Sequence, residues 1–263
     1  MKSLEAPAKI NLALVVGPKR SDGKHKVATV LQRIDLADRI SLEPSSRLDV
    51  RGFEGDTLVR RALEGIANRA GVSPHWSVRI EKRIPVAAGL GGGSSDAATA
   101  MRLANETLER PLGRTELHQL AHLLGTDVPF FLKDGPQLGK GDGAALSRVA
   151  LPMDYSVLLV HPADARKTST KAVYDAFSNP DGFEERRAAL IAAVQARDLA
   201  ALPPNDLASS PFAQELRAAG AFRADVSGAG PTVYGLFADE GQADAARELF
   251  ADRCTTWLTA PAW

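Results

Sequence analysis

Apolar and polar positions alternate from the start of the chain. Between residues 9 and 16, Ile10, Leu12 and Leu14 fall on one face, which predicts a strand, and Pro18-Lys19-Arg20-Ser21-Asp22-Gly23 predicts a polar turn after it. Further strands are expected at residues 27–33 and 39–42. The spacing then changes to that of a helix: Leu58, Val59, Ala62, Leu63, Ile66 and Ala67 share a face, with Asp56 or Thr57 placed to cap the start and Gly71 to end it. Alternation returns at Trp76, Val78 and Ile80, so a strand runs to about residue 83 and stops before Pro85. A glycine-rich loop and a second helix follow.

Beyond Leu151 the pattern predicts a strand at 155–160, helices around 170–177, 183–195 and 211–218, strands at 222–226 and 232–237, a helix at 242–250 and a last strand at 255–258. Strand, helix, strand, strand, helix, strand is the ferredoxin-like order, with extra helices inserted early. The expectation is a two-domain α+β protein, residues 1–149 and 150–263.

Composition narrows the function. The 263 residues carry 32 Lys plus Arg against 32 Asp plus Glu, a net charge of zero, so no general attraction for nucleic acid or an anionic membrane is expected. A single cysteine, Cys254, excludes an internal disulfide framework and any multi-cysteine metal site. No apolar run reaches the roughly 18 residues of a membrane span, and Met1 to Pro7 lack the apolar core of an export signal. A cytoplasmic protein, monomeric or a weak homodimer, is expected.

The most informative stretch is Pro85-Val86-Ala87-Ala88-Gly89-Leu90-Gly91-Gly92-Gly93-Ser94-Ser95, between a strand and a helix. Four glycines in five positions let backbone N–H groups approach an anion closely, and a helix N-terminus behind them adds partial positive charge. A tight turn alone needs one or two glycines. Neither the Walker A spacing nor the G-x-G-x-x-G dinucleotide spacing fits, since Ser94 and Asp96 stand where the next glycine would. Gly139-Lys140-Gly141 is no Walker A loop either, because Gly135 is one residue too close and Gly141 replaces the required Ser or Thr; it reads as loop.

Residues 85–98 resemble the second motif of the GHMP small-molecule kinases. Three more stretches resemble that family, in its order and over most of the chain: Ala6-Pro7-Ala8-Lys9-Ile10-Asn11-Leu12, Gly125-Thr126-Asp127-Val128-Pro129-Phe130-Phe131, and Ser227-Gly228-Ala229-Gly230-Pro231-Thr232-Val233-Tyr234. Within the family the likeness is nearest to kinases of a cytidylyl diphosphate substrate. The resemblance implies ATP as co-substrate, accompanied by Mg²⁺, and transfer of a phosphoryl group to a tertiary 2-hydroxyl. Kinases of homoserine, mevalonate or sugars, and a nucleotide-binding relative without turnover, are the rival readings.

The resemblance also implies roles. Asp127 matches the catalytic aspartate, a general base for the substrate hydroxyl; read from residues alone it is a turn or capping aspartate before Pro129. Lys9 matches the lysine beside that aspartate, where an ammonium keeps the carboxylate ionised; read alone it is a solvated strand lysine. Residues 85–95 would bind ATP, and Asn11, His25, Asp127, Thr170, Tyr174 and Gly228 would bind substrate. Asn11 points the same way as Lys9 on a strand. His25 matches the histidine that reads the cytosine edge, and Tyr174, in the segment opened by Thr168, matches an aromatic of the pyrimidine clamp or is a core tyrosine. Lys24 departs from the pattern, standing where the family has a stacking aromatic ring. Ser94 and Ser95 can cap the helix, bind phosphate or approach Mg²⁺. Gly228 and Gly230 match the third motif or simply make a hairpin connection.

Other candidates carry less. His118 and His122 lie four apart on one helical face, but Gln119 replaces the glutamate of H-E-x-x-H. His161 ends a strand, and Glu184-Glu185-Arg186-Arg187 reads as a solvated helix face.

Overall fold

The computed structural model describes residues 1–165 and 169–263; Thr168 lies outside them. By contacts the chain divides into two compact units. One holds residues 1–8, 36–86 and 91–134, the other 9–35, 87–90 and 135–263.

In the first unit, β3 (Asp49–Arg51) pairs parallel to β4 (Trp76–Glu81), which pairs antiparallel with residues 39–44 of β2 (His25–Pro44). Two helices pack together here, the amphipathic α1 (Leu58–Ala70) and the largely buried α2 (Gly92–Asn105). The α1 start is held by the Asp56 carboxylate, which accepts from the Val59 N–H at 3.0 Å, and Gly71 ends it in the left-handed conformation. Ala97, Ala98, Ala100, Met101, Leu103 and Ala104 bury α2, its small side chains letting neighbours approach closely. Helix α3 (Arg114–Leu124) and a 3₁₀ turn at Val128–Leu132 complete the unit.

In the second unit, β1 (Lys2–Lys19) contributes residues 9–19 and pairs with β2, whose residues 29–31 pair antiparallel with β5 (Gln137–Lys140); β5 in turn pairs with β6 (Ala145–Arg148). The remaining strands, β7 (Ser156–Pro162), β8 (Arg223–Val226), β9 (Val233–Phe237) and β10 (Cys254–Thr259), form an antiparallel sheet in the order β10-β7-β9-β8. That is the ferredoxin-like order expected from the sequence. Helices α4 (Thr170–Ala176), α5 (Phe183–Ala196) and α6 (Pro211–Ala218) come between β7 and β8, and α7 (Glu240–Arg247) between β9 and β10. Leu158, Val160, Leu216, Val226, Phe237 and Phe250 centre its core.

Four expectations are corrected. The three short strands predicted near the start are two long ones: β1 runs through Pro18 and Lys19, and β2 continues across residues 34–38, where Ile34 and Asp38 are both buried. Gly139 and Lys140 are strand, not loop; a Cβ at Gly139 would lie 2.6 Å from the Gly143 carbonyl oxygen, so the glycine permits the tight β5–β6 connection. Arg186 is not on a solvated face: it donates to Asp206 at 3.1 Å and to the Val16 carbonyl at 3.2 Å, tying α5 to β1. The predicted helix at 242–250 starts at Glu240, with Asp239 as its cap, and ends in a 3₁₀ turn.

Candidate active site

Lys9 and Asn11 project from the same side of β1, as their spacing requires. Lys9 is 4% exposed and donates to Asn11 Oδ1; Asn11 Nδ2 donates to Thr29 Oγ1 at 2.8 Å, and Thr29 donates on to the Ala13 carbonyl at 2.7 Å. A buried ammonium is costly unless oxygen acceptors surround it, and this chain fixes one such acceptor in place. Lys9 is therefore not a solvated strand lysine.

The start of the glycine-rich loop is fastened to the same place. The Lys9 N–H donates to the Leu90 carbonyl at 2.9 Å, the Ser227 hydroxyl to the Gly89 carbonyl at 3.0 Å, and the Asn11 N–H to Ser227 Oγ at 3.3 Å. Gly89 has φ +80°, and a Cβ there would sit 2.1 Å from the Ser227 carbonyl oxygen. Gly228 has φ +59°, and its Cβ would lie 3.2 Å from both Lys9 Nζ and Asn11 Oδ1. Both positions demand glycine for conformation and for space. Asn205 supports the turn, its Nδ2 donating to the carbonyls of Val226 at 2.9 Å and Gly228 at 2.6 Å. Ala87, with φ +57°, is a strained non-glycine residue in the loop itself.

A second cluster surrounds His25. Its Nδ1 lies 2.7 Å from the Gly17 carbonyl, which can only accept, so Nδ1 carries the proton. The other nitrogen, Nε2, is buried with no partner among the described residues. Tyr174 on α4 lies 6.0 Å away, ring to ring, and Phe177 packs edge-on at 5.6 Å. The structure thus brings Tyr174 to His25, with Thr170 exposed at the first turn of the same helix. Phe177 was missed in the sequence, although its position three residues after Tyr174 on a helix was a usable signal. Lys24 turns to Asp142, 2.9 Å away, and this partner, with burial opposing, holds the Asp142 carboxyl below its usual range.

In the other unit, Gly91 ends the loop in the left-handed conformation and α2 begins at Gly92. A Cβ at Gly92 would meet Ile84 at 3.1 Å and Lys82 Nζ at 3.3 Å. Lys82 bridges two buried carboxylates, Asp38 and, at 2.8 Å, Asp96, while Asp38 also accepts from the N–H groups of Arg83 and Ile84. Burial raises the Asp96 carboxyl to about 7 against the opposing pull of Lys82, with Asp38 adding to the rise. Burial alone would lower Lys82, but Asp96 and Asp38 carry it above the usual lysine value. No sequence signal marked this triad, whose members lie 44 and 14 residues apart. Ser95 is buried and its hydroxyl has no partner among the described residues, as is true of Asp96 Oδ1. Among the described residues no three His, Cys, Asp or Glu gather as a metal cage. A lone hydroxyl at a helix start suits a small hard cation that arrives on phosphate oxygens and keeps most of its water.

Asp127 stands at the N-cap position of the 3₁₀ turn, yet its side chain makes no capping bond to that turn. The capping reading of this aspartate therefore loses its basis.

The family model for the GHMP kinases N terminal domain matches residues 57–135, and that for the GHMP kinases C terminal matches 208–254. A 4-diphosphocytidyl-2-C-methyl-D-erythritol kinase of Anaeromyxobacter sp. (strain K) is 40% identical over 92% of this chain and 82% of its own length. The namesake kinase of Syntrophotalea carbinolica is 38% identical over 96% and 95%. The chain belongs to the 4-diphosphocytidyl-2-C-methyl-D-erythritol kinases, within the GHMP kinases. A crystal structure of a 4-(cytidine 5'-diphospho)-2C-methyl-D-erythritol kinase matches this GHMP kinase with a TM-score of 0.85 and 31% identity, over 100% of both chains. Mevalonate kinase of Methanococcus jannaschii, at 16% identity and a TM-score of 0.78, shares the fold.

Proposed function

We propose that this GHMP kinase transfers the γ-phosphoryl group of ATP to the 2-hydroxyl of 4-diphosphocytidyl-2-C-methyl-D-erythritol, in non-mevalonate isoprenoid biosynthesis. The observation that carries the substrate is His25. With Nδ1 donating to Gly17, its Nε2 is an acceptor buried without a partner, and the exocyclic amine of cytosine is a donor of the right kind. Tyr174 and Phe177 give the pyrimidine aromatic company, while Lys24, paired with Asp142, leaves the remaining face of the base without a ring.

Asp127 takes the proton of the attacking hydroxyl, and Lys9 supplies the positive charge that keeps this base ionised. Asn11, Thr170 and Gly228 contribute to holding substrate, and residues 85–95 hold the ATP phosphates on backbone N–H groups. Mg²⁺ bound with the nucleotide supplies neutralisation of phosphate charge, with Ser95 the residue to hold it. The phosphate-loop domain, residues 1–149, and the ferredoxin-like domain, 150–263, act together in a cytoplasmic enzyme that is monomeric or weakly dimeric and needs neither nucleic acid nor membrane. No helix among the described residues is long and apolar enough to cross a membrane.

The test is ADP release by the purified protein with Mg-ATP, comparing 4-diphosphocytidyl-2-C-methyl-D-erythritol with the same alcohol lacking its cytidylyl group, homoserine and mevalonate. Turnover restricted to the cytidylyl substrate is expected. Turnover with another alcohol alone would replace the substrate, and silence with all four would leave a nucleotide-binding protein.

A further inference from the structure

A cleft of about 630 Å³ opens in the first unit, away from the phosphate loop. Arg102, in the last turn of α2, lies ten residues beyond Gly92, or roughly 15 Å along the helix axis at the rise of an α-helix. Arg114, His118 and His122 recur every four residues and form one stripe along α3, and Lys133 and Asp134 follow the 3₁₀ turn. All six line the cleft. Five of them are cationic or can become so, against one carboxylate.

Like charges four apart on a helix weaken it, so the stripe does not serve α3 itself. The one carboxylate on α3 itself, Glu116, is engaged elsewhere, accepting from the Gly113 N–H at 3.0 Å and from Arg69 at 3.2 Å. Among the described residues neither Arg102 nor Arg114 forms an ion pair. In a protein of zero net charge, such a concentration on one wall is a local anion field rather than a general one. The field acts on the cleft's own residues: burial first, then the positive charges of Lys133 and His122, lower the proton affinity of His118.

We propose that this cleft binds a small organic phosphate or diphosphate at a site separate from the phosphate loop. A guanidinium fork takes two oxygens at a time, and a phosphate or diphosphate offers enough oxygens for both Arg102 and Arg114 where a single carboxylate serves one. Leu117 and Leu132 also line the cleft and give an organic portion an apolar wall. Its volume falls within the range of clefts that hold small ligands. A bound phosphate opposes the positive charges that lower His118, so it raises the proton affinity of that imidazole.

The probe is inorganic pyrophosphate, titrated into the full-length protein with a non-hydrolysable ATP analogue saturating the phosphate loop. The chain has five histidines, so their ring resonances can be followed one by one. Pyrophosphate should shift the ring resonances of His118 and His122 and leave those of His25 in place. The exposed double variant Arg102→Gln/Arg114→Gln should bind pyrophosphate at least about tenfold more weakly and the ATP analogue as the parent does. Unmoved His118 and His122 resonances, or equal pyrophosphate affinity in the double variant, would overturn the site. Citrate binding as tightly as pyrophosphate at the same ionic strength would overturn its assignment to phosphates.

Discussion

Two carboxylates show how differently one residue type is used here. Asp127 sits at a helical turn that it does not cap, and Asp127→Asn, which keeps shape and removes basicity, should lower kcat by about 10²–10⁴-fold with ATP affinity nearly unchanged. Wild-type turnover in that variant would remove the residue from the chemistry. Asp96 is a different case. Its folded pKa is about 7 against 3.8 for the free side chain, so between those values the folded chain holds a proton that the unfolded chain has released. Stability from this group is therefore fully present below about pH 4 and is lost as pH rises through 7, with a slope of up to about 1.4 kcal/mol per pH unit. Asp96→Asn should flatten that part of the pH dependence in denaturant titrations at pH 4.5, 6 and 7.5. An unchanged slope would mean that the proton is held by some other group.

At the scale of elements, the phosphate loop draws its shape from partners far away in sequence. Gly89 meets Ser227, and Lys9 meets Leu90, through backbone groups that no side-chain pattern announces. The motif glycines were legible because each is a local requirement, whereas what they press against was not. The same division explains the strands and helices. Asp56 and Gly71 bound α1 by local chemistry and were read correctly, but β2 continues as one strand because of its neighbours. Likewise nothing in the sequence marks Lys82, because its partners Asp38 and Asp96 reach it only through the fold. Gly89→Ala tests the loop's fastening: the new Cβ is placed 2.1 Å from a carbonyl oxygen at a φ of +80°, so the chain should lose about 2–4 kcal/mol of stability in urea titrations. Parent-like stability would show that the loop moves away from Ser227 at little cost.

Over the whole molecule, charge is balanced, 32 basic against 32 acidic residues, so nothing global draws in a nucleotide carrying several negative charges. On the proposed reading, affinity comes from backbone N–H groups of the glycine-rich loop, which the fold alone holds in place on Ser227. A ligand bound only by the folded state stabilises it in proportion to its saturation, by about 2.7 kcal/mol at a hundred times Kd. For a chain of this size that corresponds to a rise in Tm of about 5–10 °C. Mg-ATP analogue should produce that rise in the parent protein and a much smaller one in Gly89→Ala at the same concentration, with each variant compared against its own ligand-free melt. An equal rise in both would place nucleotide affinity outside the fastened end of the loop and shift it toward Gly91 to Ser95 at the start of α2.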